Sequence, residues 1–221
     1  MDKAALISMF ITFVMSNDVL KYEPANQRTV ESSGVPKFCH KLACPAFEVI
    51  KTTKEYEERE YAATEWVSTQ QTNMDYEKAS YTMFERLFKY IKGANEKKKP
   101  IKMTCPVVNR IIPGAGPACE SNFTMSFFVA PIQKPAPAPT DPSVFLNNAP
   151  RFTAYVRQFS GYAMTYDVWR DQAVALAKAL KVDGVEFRTD MYWTAGYDSP
   201  FELFNRHNEV WFLGKNENLS L

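Results

Sequence analysis

Histidine is scarce in this sequence, which has only two among 221 residues, His40 and His207. No Gly-x-Ser-x-Gly, His-Glu-x-x-His, Gly-x-Gly-x-x-Gly or phosphate-binding Walker motif occurs either. Either histidine could act as a base or a ligand, but an isolated surface histidine usually does neither. These absences leave no catalytic constellation, so we expect that the protein is not an enzyme.

An excess of charge and a long apolar run are also missing. The 26 Lys and Arg residues nearly balance the 25 Asp and Glu residues, which gives a net charge of +1. Proteins that bind nucleic acids usually carry a strong basic excess, and a membrane-spanning helix needs about 18 or more consecutive apolar residues. We therefore expect no nucleic-acid partner and no integral membrane segment, while the sequence leaves any protein partner unspecified.

Aromatic residues, in contrast, are abundant. The chain contains 16 Phe, 11 Tyr and 4 Trp, and 46% of its residues are hydrophobic. This composition supports a folded core and argues against intrinsic disorder. Many aromatics beside few histidines favour a protein that binds a ligand over one that performs acid–base chemistry.

The first residues predict a secretory signal peptide over 1–16. An apolar stretch from Ala4 to Met15 is followed by small residues, and Val14 and Ser16 suit the −3 and −1 positions of a cleavage site. A buried N-terminal helix is the alternative, but the stretch has too few polar residues for an amphipathic helix. Secretion is the preferred interpretation, with 17–46 as an N-terminal extension of the mature chain.

Four cysteines are candidates for disulfide bonds: Cys39, Cys44, Cys105 and Cys119. In a secreted chain an even number suggests disulfides, and four cysteines allow three pairings. Cys39 and Cys44 could close a small local loop, whereas Cys105 and Cys119 are not directly opposite in the predicted hairpin. A zinc site is the less favoured alternative, since the chain has no paired Cys-x-x-Cys. Two sequons, at Asn122 and Asn218, are candidate glycosylation sites.

Hydrophobic periodicity predicts seven strands and two helices. The strands are expected over 47–51, 61–69, 101–112, 123–130, 152–159, 191–195 and 209–213, and the helices over 74–91 and 165–180. Asp75 is placed near the cap of the first helix, and Gly93 and Gly184 end the two helices. The proline-rich stretch 131–139 is either an interdomain linker or a long loop.

The order strand–helix–strand–strand occurs twice, with an offset of about 90 residues. Val67 and Val156 correspond in this pattern, as do Gly93 and Gly184. Neither half has enough strands for a core of its own. The pattern therefore predicts an internal duplication within one domain.

One edge of the first helix is basic and aromatic. Tyr81, Phe84 and Phe88 lie beside the apolar stripe that is expected to face the core, and Lys89 lies next to them at helical spacing. These aromatics could simply widen the buried face. Alternatively, they form a groove in which a flat apolar ligand stacks while Lys89 meets its carboxylates.

Several motifs resemble the SOUL haem-binding protein family, and most closely its haem-binding protein 2 branch. They are Met74-Asp75-Tyr76 through 97, Ile101-Lys102-Met103-Thr104-Cys105-Pro106-Val107, Tyr192-Trp193-Thr194-Ala195-Gly196-Tyr197-Asp198-Ser199-Pro200 and Asn205-Arg206-His207-Asn208-Glu209-Val210-Trp211. Residues 56–66 match the family's first long strand more loosely. The resemblance extends over 47–215, which we take as the domain, and leaves 216–221 as a C-terminal tail.

The resemblance implies an α+β fold, a distorted antiparallel β-barrel of two four-stranded sheets with two flanking helices and a pseudo-twofold internal repeat. It also implies haem or another porphyrin as ligand, in a shallow groove beside the first long helix. The matching groove positions are Tyr81, Phe84, Phe88, Lys89 and Tyr197. Some relatives have been proposed to ligate iron through a histidine at the position of Glu60, so here we expect binding without a strong axial histidine. A fold of this kind that has lost haem binding and serves as an extracellular interaction protein is the alternative.

Overall fold

The computed structural model describes residues 35–116, 119–199, 201–217, 219 and 221, so the predicted signal peptide lies outside the described residues. The strands in this part of the chain are β1 (Phe47–Thr52), β2 (Glu57–Tyr61), β3 (Thr64–Asn73), β4 (Val107–Ile112), β5 (Ser121–Val129), β6 (Val144–Ala149), β7 (Phe152–Phe159), β8 (Tyr192–Gly196) and β9 (Asn208–Leu213). The helices are α1 (Tyr76–Ile91) and α2 (Tyr166–Val182), and single 3₁₀ turns occupy Lys37–Cys39 and Pro131–Gln133.

The nine strands form one strongly curled antiparallel sheet, a half-barrel, with the order β1-β2-β7-β9-β8-β4-β5-β3-β6. The fold is therefore α+β with two helices, as expected. The expectation of two separate four-stranded sheets was wrong, because the two sets of four strands are joined into one sheet. Strand β4 pairs with β8 from Val107 opposite Gly196 to Ile111 opposite Tyr192, which joins the two sets of four strands, and β1 adds a ninth.

The order of strands on the two sides of the β4–β8 junction follows one scheme. It reads β4-β5-β3 on one side and β8-β9-β7 on the other, and α1 follows β3 as α2 follows β7. This order is compatible with the predicted duplication, which stays a prediction.

The two faces of the sheet carry two separate cores. On the helix face, buried residues of α1 and α2 such as Met83, Leu87 and Leu176 pack on strand residues such as Phe127. On the opposite face, which we call the tryptophan face, Trp66, Trp193 and Trp211 are fully buried. The N-terminal segment 35–46 and the C-terminal Leu219 and Leu221 pack on the tryptophan face. Alternating side chains along each strand supply both cores.

Strand assignments from the sequence failed where pairing partners are distant. The predicted strand 61–69 is interrupted between Tyr61 and Thr64, because β2 and β3 lie in opposite halves of the sheet. Residues 101–106 form no strand; Thr104 instead bridges to Ala43 of the N-terminal segment. Strand β6, which pairs along β3, was not predicted. The proline-rich stretch 131–139 is a loop that leads to this strand and not an interdomain linker.

No helix in the described part of the chain is long and apolar enough to cross a membrane.

Candidate functional site

Helix α1 has the N-terminal cap and the buried face that its sequence predicts. Asp75 caps it, since its carboxylate accepts a hydrogen bond of 2.9 Å from the backbone N–H of Lys78. The stripe Ala79, Met83 and Leu87 is completely buried against the sheet. This burial fixes the rotation of the helix and therefore decides which residues lie along its exposed edge.

The exposed edge of α1 carries three aromatic rings at positions i, i+3 and i+7. The rings of Phe84 and Phe88 are stacked, with centroids 5.7 Å apart and an interplanar angle of 17°. Phe84 also contacts the buried Phe127, at 5.5 Å, so it anchors the stack to the core. Phe88 is 37% exposed and Tyr81 is 64% exposed. We call Tyr81, Phe84 and Phe88 the aromatic edge.

Cationic groups lie next to this aromatic edge. The ammonium of Lys92 lies 5.2 Å above the Phe88 ring, a cation–π distance. Lys89 is exposed, and no described residue forms an ion pair with its ammonium within 4.0 Å. Arg86, in contrast, contacts the sheet through Thr69 Oγ1 and Gln70 O. Lys89 and Lys92 are thus the cations that an anionic ligand could meet at the aromatic edge.

Tyr197, the fifth predicted groove residue, is not brought to the aromatic edge. It belongs to the core of the tryptophan face, is 5% exposed, and donates a hydrogen bond of 2.9 Å to Glu209 Oε2. Burial, followed by the nearby Glu209 carboxylate, raises the pKa of Tyr197 well above its usual value. The structure therefore brings together Tyr81, Phe84, Phe88 and Lys89 and separates Tyr197 from them.

A buried cluster of charges lies on the tryptophan face beside Tyr197. Arg59 donates a hydrogen bond of 3.0 Å to Glu209 Oε1 and one of 2.8 Å to Glu57. Trp211 Nε1 donates to Glu209 Oε2 at 2.9 Å, and His207 Nε2 lies 2.7 Å from Glu209 Oε1. Burial alone would raise the pKa of Glu209, but Arg59 and these hydrogen bonds lower it to about 2. The carboxylate is therefore ionised and fully satisfied at neutral pH.

The N-terminal segment 35–46 covers this charge cluster. The Phe38 ring is stacked on His207, with centroids 4.0 Å apart and an angle of 6°, and it lies edge-on to Tyr197 at 4.9 Å. His40 Nε2 lies 2.7 Å from Asp198 Oδ1. This assembly was not predicted from the sequence, because its members are far apart in the chain. The pairing of β2 with β7 and of β7 with β9 brings Arg59 and Glu209 together.

The cysteines pair only in part as expected. Cys39 and Cys44 form a disulfide, whereas Cys105 and Cys119 are free thiols. Cys105 is buried on the tryptophan face and Cys119 is exposed near the β4–β5 turn, so these two do not pair. The sulfurs of Cys39, Cys44 and Cys105 all lie within 4.8 Å of one another, but two of them are joined in the disulfide and are therefore not thiolates that could ligate a metal.

The two sequons differ in what the structure describes. Asn122 lies on β5 between β3 and β4, partly buried, and its amide donates to Thr72 Oγ1 at 3.4 Å. Asn218 lies outside the described residues.

A surface depression of about 500 Å³ lies away from the aromatic edge. It is formed by the turn before β2 and the end of α2, with Lys54, Glu55, Lys178 and Asp183 in its lining. Its lining mixes these charged residues with Ala175, Ala179 and Val182, and none of its described residues is aromatic. The aromatic edge, in contrast, offers exposed rings on which a flat ligand can stack. The aromatic edge is therefore the better candidate for such a ligand.

Known proteins resemble this chain in sequence and in fold. Human heme-binding protein 2 is 42% identical over 163 residues, which cover 73% of this chain and 79% of that protein. Heme-binding protein 1 of Xenopus tropicalis is 34% identical over 162 residues, which cover 73% and 84%. Among solved structures, the EcmrR C-terminal domain superposes with a TM-score of 0.54 at 13% identity, over 72% of this chain and 96% of that one. At this identity the likeness concerns the fold alone.

A sequence profile shows how far the family resemblance extends. The profile described as SOUL heme-binding protein matches residues 42–213, which include every strand and both helices. The match and the relatives agree with the motifs noted in the sequence. This chain therefore belongs to the SOUL heme-binding protein family.

Proposed function

We propose that this protein binds haem or a related tetrapyrrole on the aromatic edge of α1, without performing a reaction. Its relatives are named for binding haem and not for catalysis. The position is supported above all by the stack of the exposed Phe88 on the half-buried Phe84, with Tyr81 and Lys89 beside it.

The aromatic edge fits the chemistry of a tetrapyrrole. A porphyrin is flat and largely apolar, so it gains from stacking on exposed rings such as Tyr81 and Phe88. Haem also carries two propionate groups, which are anionic at neutral pH. The ammonium groups of Lys89 and Lys92 lie where such carboxylates can form charge-assisted hydrogen bonds.

We infer that binding occurs without a strong axial histidine. His207 is buried between Phe38 and Tyr197 on the tryptophan face and contacts Glu209. His40 contacts Asp198. The sequence has no third histidine, and Glu60, at the position of the proposed ligand in some relatives, forms an ion pair with Arg151.

A titration with hemin tests the proposal. We expect saturable binding with a modest shift of the Soret band in the wild type. Phe88→Ala and Tyr81→Ala should each weaken binding by about fivefold, because the loss of one stacking contact costs about 1 kcal/mol. These single variants suit the test because both side chains are exposed, whereas Phe84 also supports the core through Phe127.

Exposed apolar residues on α2 provide the matched control. Val174 and Val182 are 62% and 79% exposed, so Val174→Ala and Val182→Ala should leave hemin affinity unchanged. If Phe88→Ala and Tyr81→Ala bind hemin as the wild type does, the aromatic edge is not the site. The combined Phe84→Ala and Phe88→Ala variant extends the test, provided that circular dichroism shows a folded protein.

A second function is an extracellular interaction protein that keeps the fold but no longer binds haem. Two features favour it: the ion pair of Glu60 with Arg151, and the exposed loop residues Phe201, Leu203 and Phe204, which are 84%, 64% and 75% exposed. Weak, nonsaturating uptake of hemin by the wild type would support this function over the first.

We propose further that the mature protein is secreted after cleavage following Ser16. The apolar stretch from Ala4 to Met15 supports this, as does the Cys39–Cys44 disulfide, since disulfides persist in oxidising compartments. Mass spectrometry of protein from the culture medium tests the cleavage site and both candidate glycosylation sites, Asn122 and Asn218. Retention of Met1 in that product would refute the proposal.

A further inference from the structure

Cys44 contacts two sulfur atoms at once. It is bonded to Cys39 in the disulfide, and its Sγ lies only 3.1 Å from the Sγ of the free Cys105. The three sulfurs all lie within 4.8 Å of one another. A thiol at such a distance from a disulfide sulfur is placed for exchange, in which a thiolate attacks one sulfur and releases the other.

The backbone holds Cys105 in this place although it is 61 residues from Cys44 in sequence. Thr104 bridges to Ala43, and the N–H of Cys105 donates a hydrogen bond of 3.0 Å to Ala43 O. The Cys105 thiol also lies 3.5 Å from Cys39 O. The backbones of the two segments are therefore already hydrogen-bonded to each other beside Cys44 and Cys105.

We propose that Cys44 is shared by two alternative disulfides, Cys39–Cys44 and Cys44–Cys105, which interconvert within the folded protein. The Cys105 thiol loses its proton, and its sulfur attacks Cys44 Sγ. The Cys44–Cys105 bond forms, the Cys39–Cys44 bond breaks, and Cys39 leaves as a thiolate that takes up a proton. One disulfide and one thiol are present before and after, so the step requires no oxidant or reductant. It is independent of haem binding.

Exchange in the native protein is expected to be slow. Burial, with smaller contributions from Asp198 and Glu209, raises the pKa of Cys105 to about 12, and only the thiolate attacks. Uncatalysed disulfide rearrangement takes minutes to hours, so equilibration over a day at mildly alkaline pH is a suitable regime.

The two disulfides hold the N-terminal segment in different ways. The Cys39–Cys44 bond closes a loop within segment 35–46. The Cys44–Cys105 bond would instead tie this segment covalently to the residue that precedes Pro106 and β4. Because Phe38 of the segment covers the charge cluster around Glu209, the choice of disulfide decides how firmly that cover is held.

Tryptic peptide mapping distinguishes the two disulfides. Cleavage after Lys37, Lys41, Lys51, Lys102 and Arg110 places Cys39 on peptide 38–41, Cys44 on peptide 42–51 and Cys105 on peptide 103–110. The full-length mature protein is equilibrated for a day in a glutathione redox buffer, and free thiols are blocked with N-ethylmaleimide under acidic conditions before digestion. We expect two linked pairs, 38–41 with 42–51 and 42–51 with 103–110, the second at 5% or more of the first (about 20-fold below it at most).

Three variants make the result decisive. Cys39→Ser, under the same oxidising conditions, should convert to the pair 42–51 with 103–110, whereas Cys105→Ser should keep only the pair 38–41 with 42–51. Cys119→Ser is the matched control, because Cys119 is exposed and outside the sulfur cluster; it should behave as the wild type. The proposal is overturned if the equilibrated wild type contains only Cys39–Cys44, if folded Cys39→Ser leaves Cys44 open to alkylation, or if links to Cys119 form as readily as Cys44–Cys105.

Discussion

The guanidinium of Arg59 and the carboxylate of Glu209 form a buried ion pair on the tryptophan face of the sheet. The two residues are 150 positions apart in sequence, and their charged groups are 3.0 Å apart. Their side chains are 1% and 0% exposed. Glu57 provides a second carboxylate for Arg59, and Tyr197 and Trp211 donate hydrogen bonds to Glu209. Two buried charges are tolerated here because each of them is paired with an opposite charge and hydrogen-bonded.

The first prediction concerns the charge of Glu209. Glu209→Gln should lower the free energy of unfolding by about 3 kcal/mol, because removal of one member of a buried ion pair leaves Arg59 with Glu57 as its remaining anionic partner. Urea denaturation at pH 7 measures the change. Glu186→Gln is the matched control, since Glu186 pairs with Lys215 on the surface, and it should cost less than about 1 kcal/mol. Equal effects of the two variants would contradict the energetic role of the buried pair.

The second prediction concerns the stability of the folded protein at low pH. The pKa of Glu209 is lowered from 4.5 to about 2 in the folded protein, so its ionised form stabilises the fold. This contribution is fully present above pH 4.5, the pKa in the unfolded chain, and is lost as the pH falls towards 2. It amounts to about 3 kcal/mol at neutral pH.

Urea denaturation at a series of pH values between 7 and 2 tests this dependence. The wild type should lose stability steeply below about pH 5, and Glu209→Gln should show a shallower decrease because it lacks this carboxylate. Parallel curves for the two proteins would show that other groups are responsible for the acid sensitivity.

The third prediction separates a structural role of Tyr197 from a ligand-binding role. Tyr197→Phe removes the hydroxyl that donates to Glu209 and should lower the free energy of unfolding by about 1 to 2 kcal/mol. Hemin affinity should not change, because Tyr197 belongs to the tryptophan face and the aromatic edge lies on α1. A loss of hemin affinity with unchanged stability would show that Tyr197 belongs to the binding site, as the family resemblance implies.

Local signals explain which parts of the fold could be predicted. Helix α1 was predicted closely, because the cap at Asp75, the apolar spacing and the stop at Gly93 all lie within the segment itself; Gly93 adopts a φ of +113°, which favours glycine. Strand β7 was predicted at its observed bounds from alternation alone. Strand β6 was missed, since it follows a proline-rich loop and its pattern is weak until it pairs with β3.

The residues around the candidate site also differ in whether the sequence could predict their contacts. Helical spacing alone placed Tyr81, Phe84, Phe88 and Lys89 together. The cluster of Arg59 and Glu209 could not be predicted, because the two residues meet only through the pairing of β2 with β7 and of β7 with β9. Contacts that depend on the register of distant strands leave no periodic signal in the sequence.

The fourth prediction concerns the two free thiols. In the native protein, the disulfide reagent DTNB should react rapidly with one thiol per chain, that of the exposed Cys119. Cys105 should react only after denaturation, because it is buried and its pKa is raised to about 12. Cys119→Ser should remove the rapid phase, whereas Cys105→Ser should leave it unchanged. Two rapidly reacting thiols in the native wild type would show that Cys105 is accessible.

The last prediction distinguishes the aromatic edge from the surface depression near α2 as the binding site of hemin. Lys89→Ala should weaken hemin binding about threefold, because an exposed ion pair contributes at most about 1 kcal/mol. The effect should shrink between 0.05 and 0.5 M salt (roughly 14 and 4 Å of Debye length), since salt screens exposed charges. Lys178→Ala is the matched control: Lys178 is also a helical lysine, but it lines the depression and should have no effect. A larger loss of affinity in Lys178→Ala than in Lys89→Ala would show that hemin binds in the depression and not on α1.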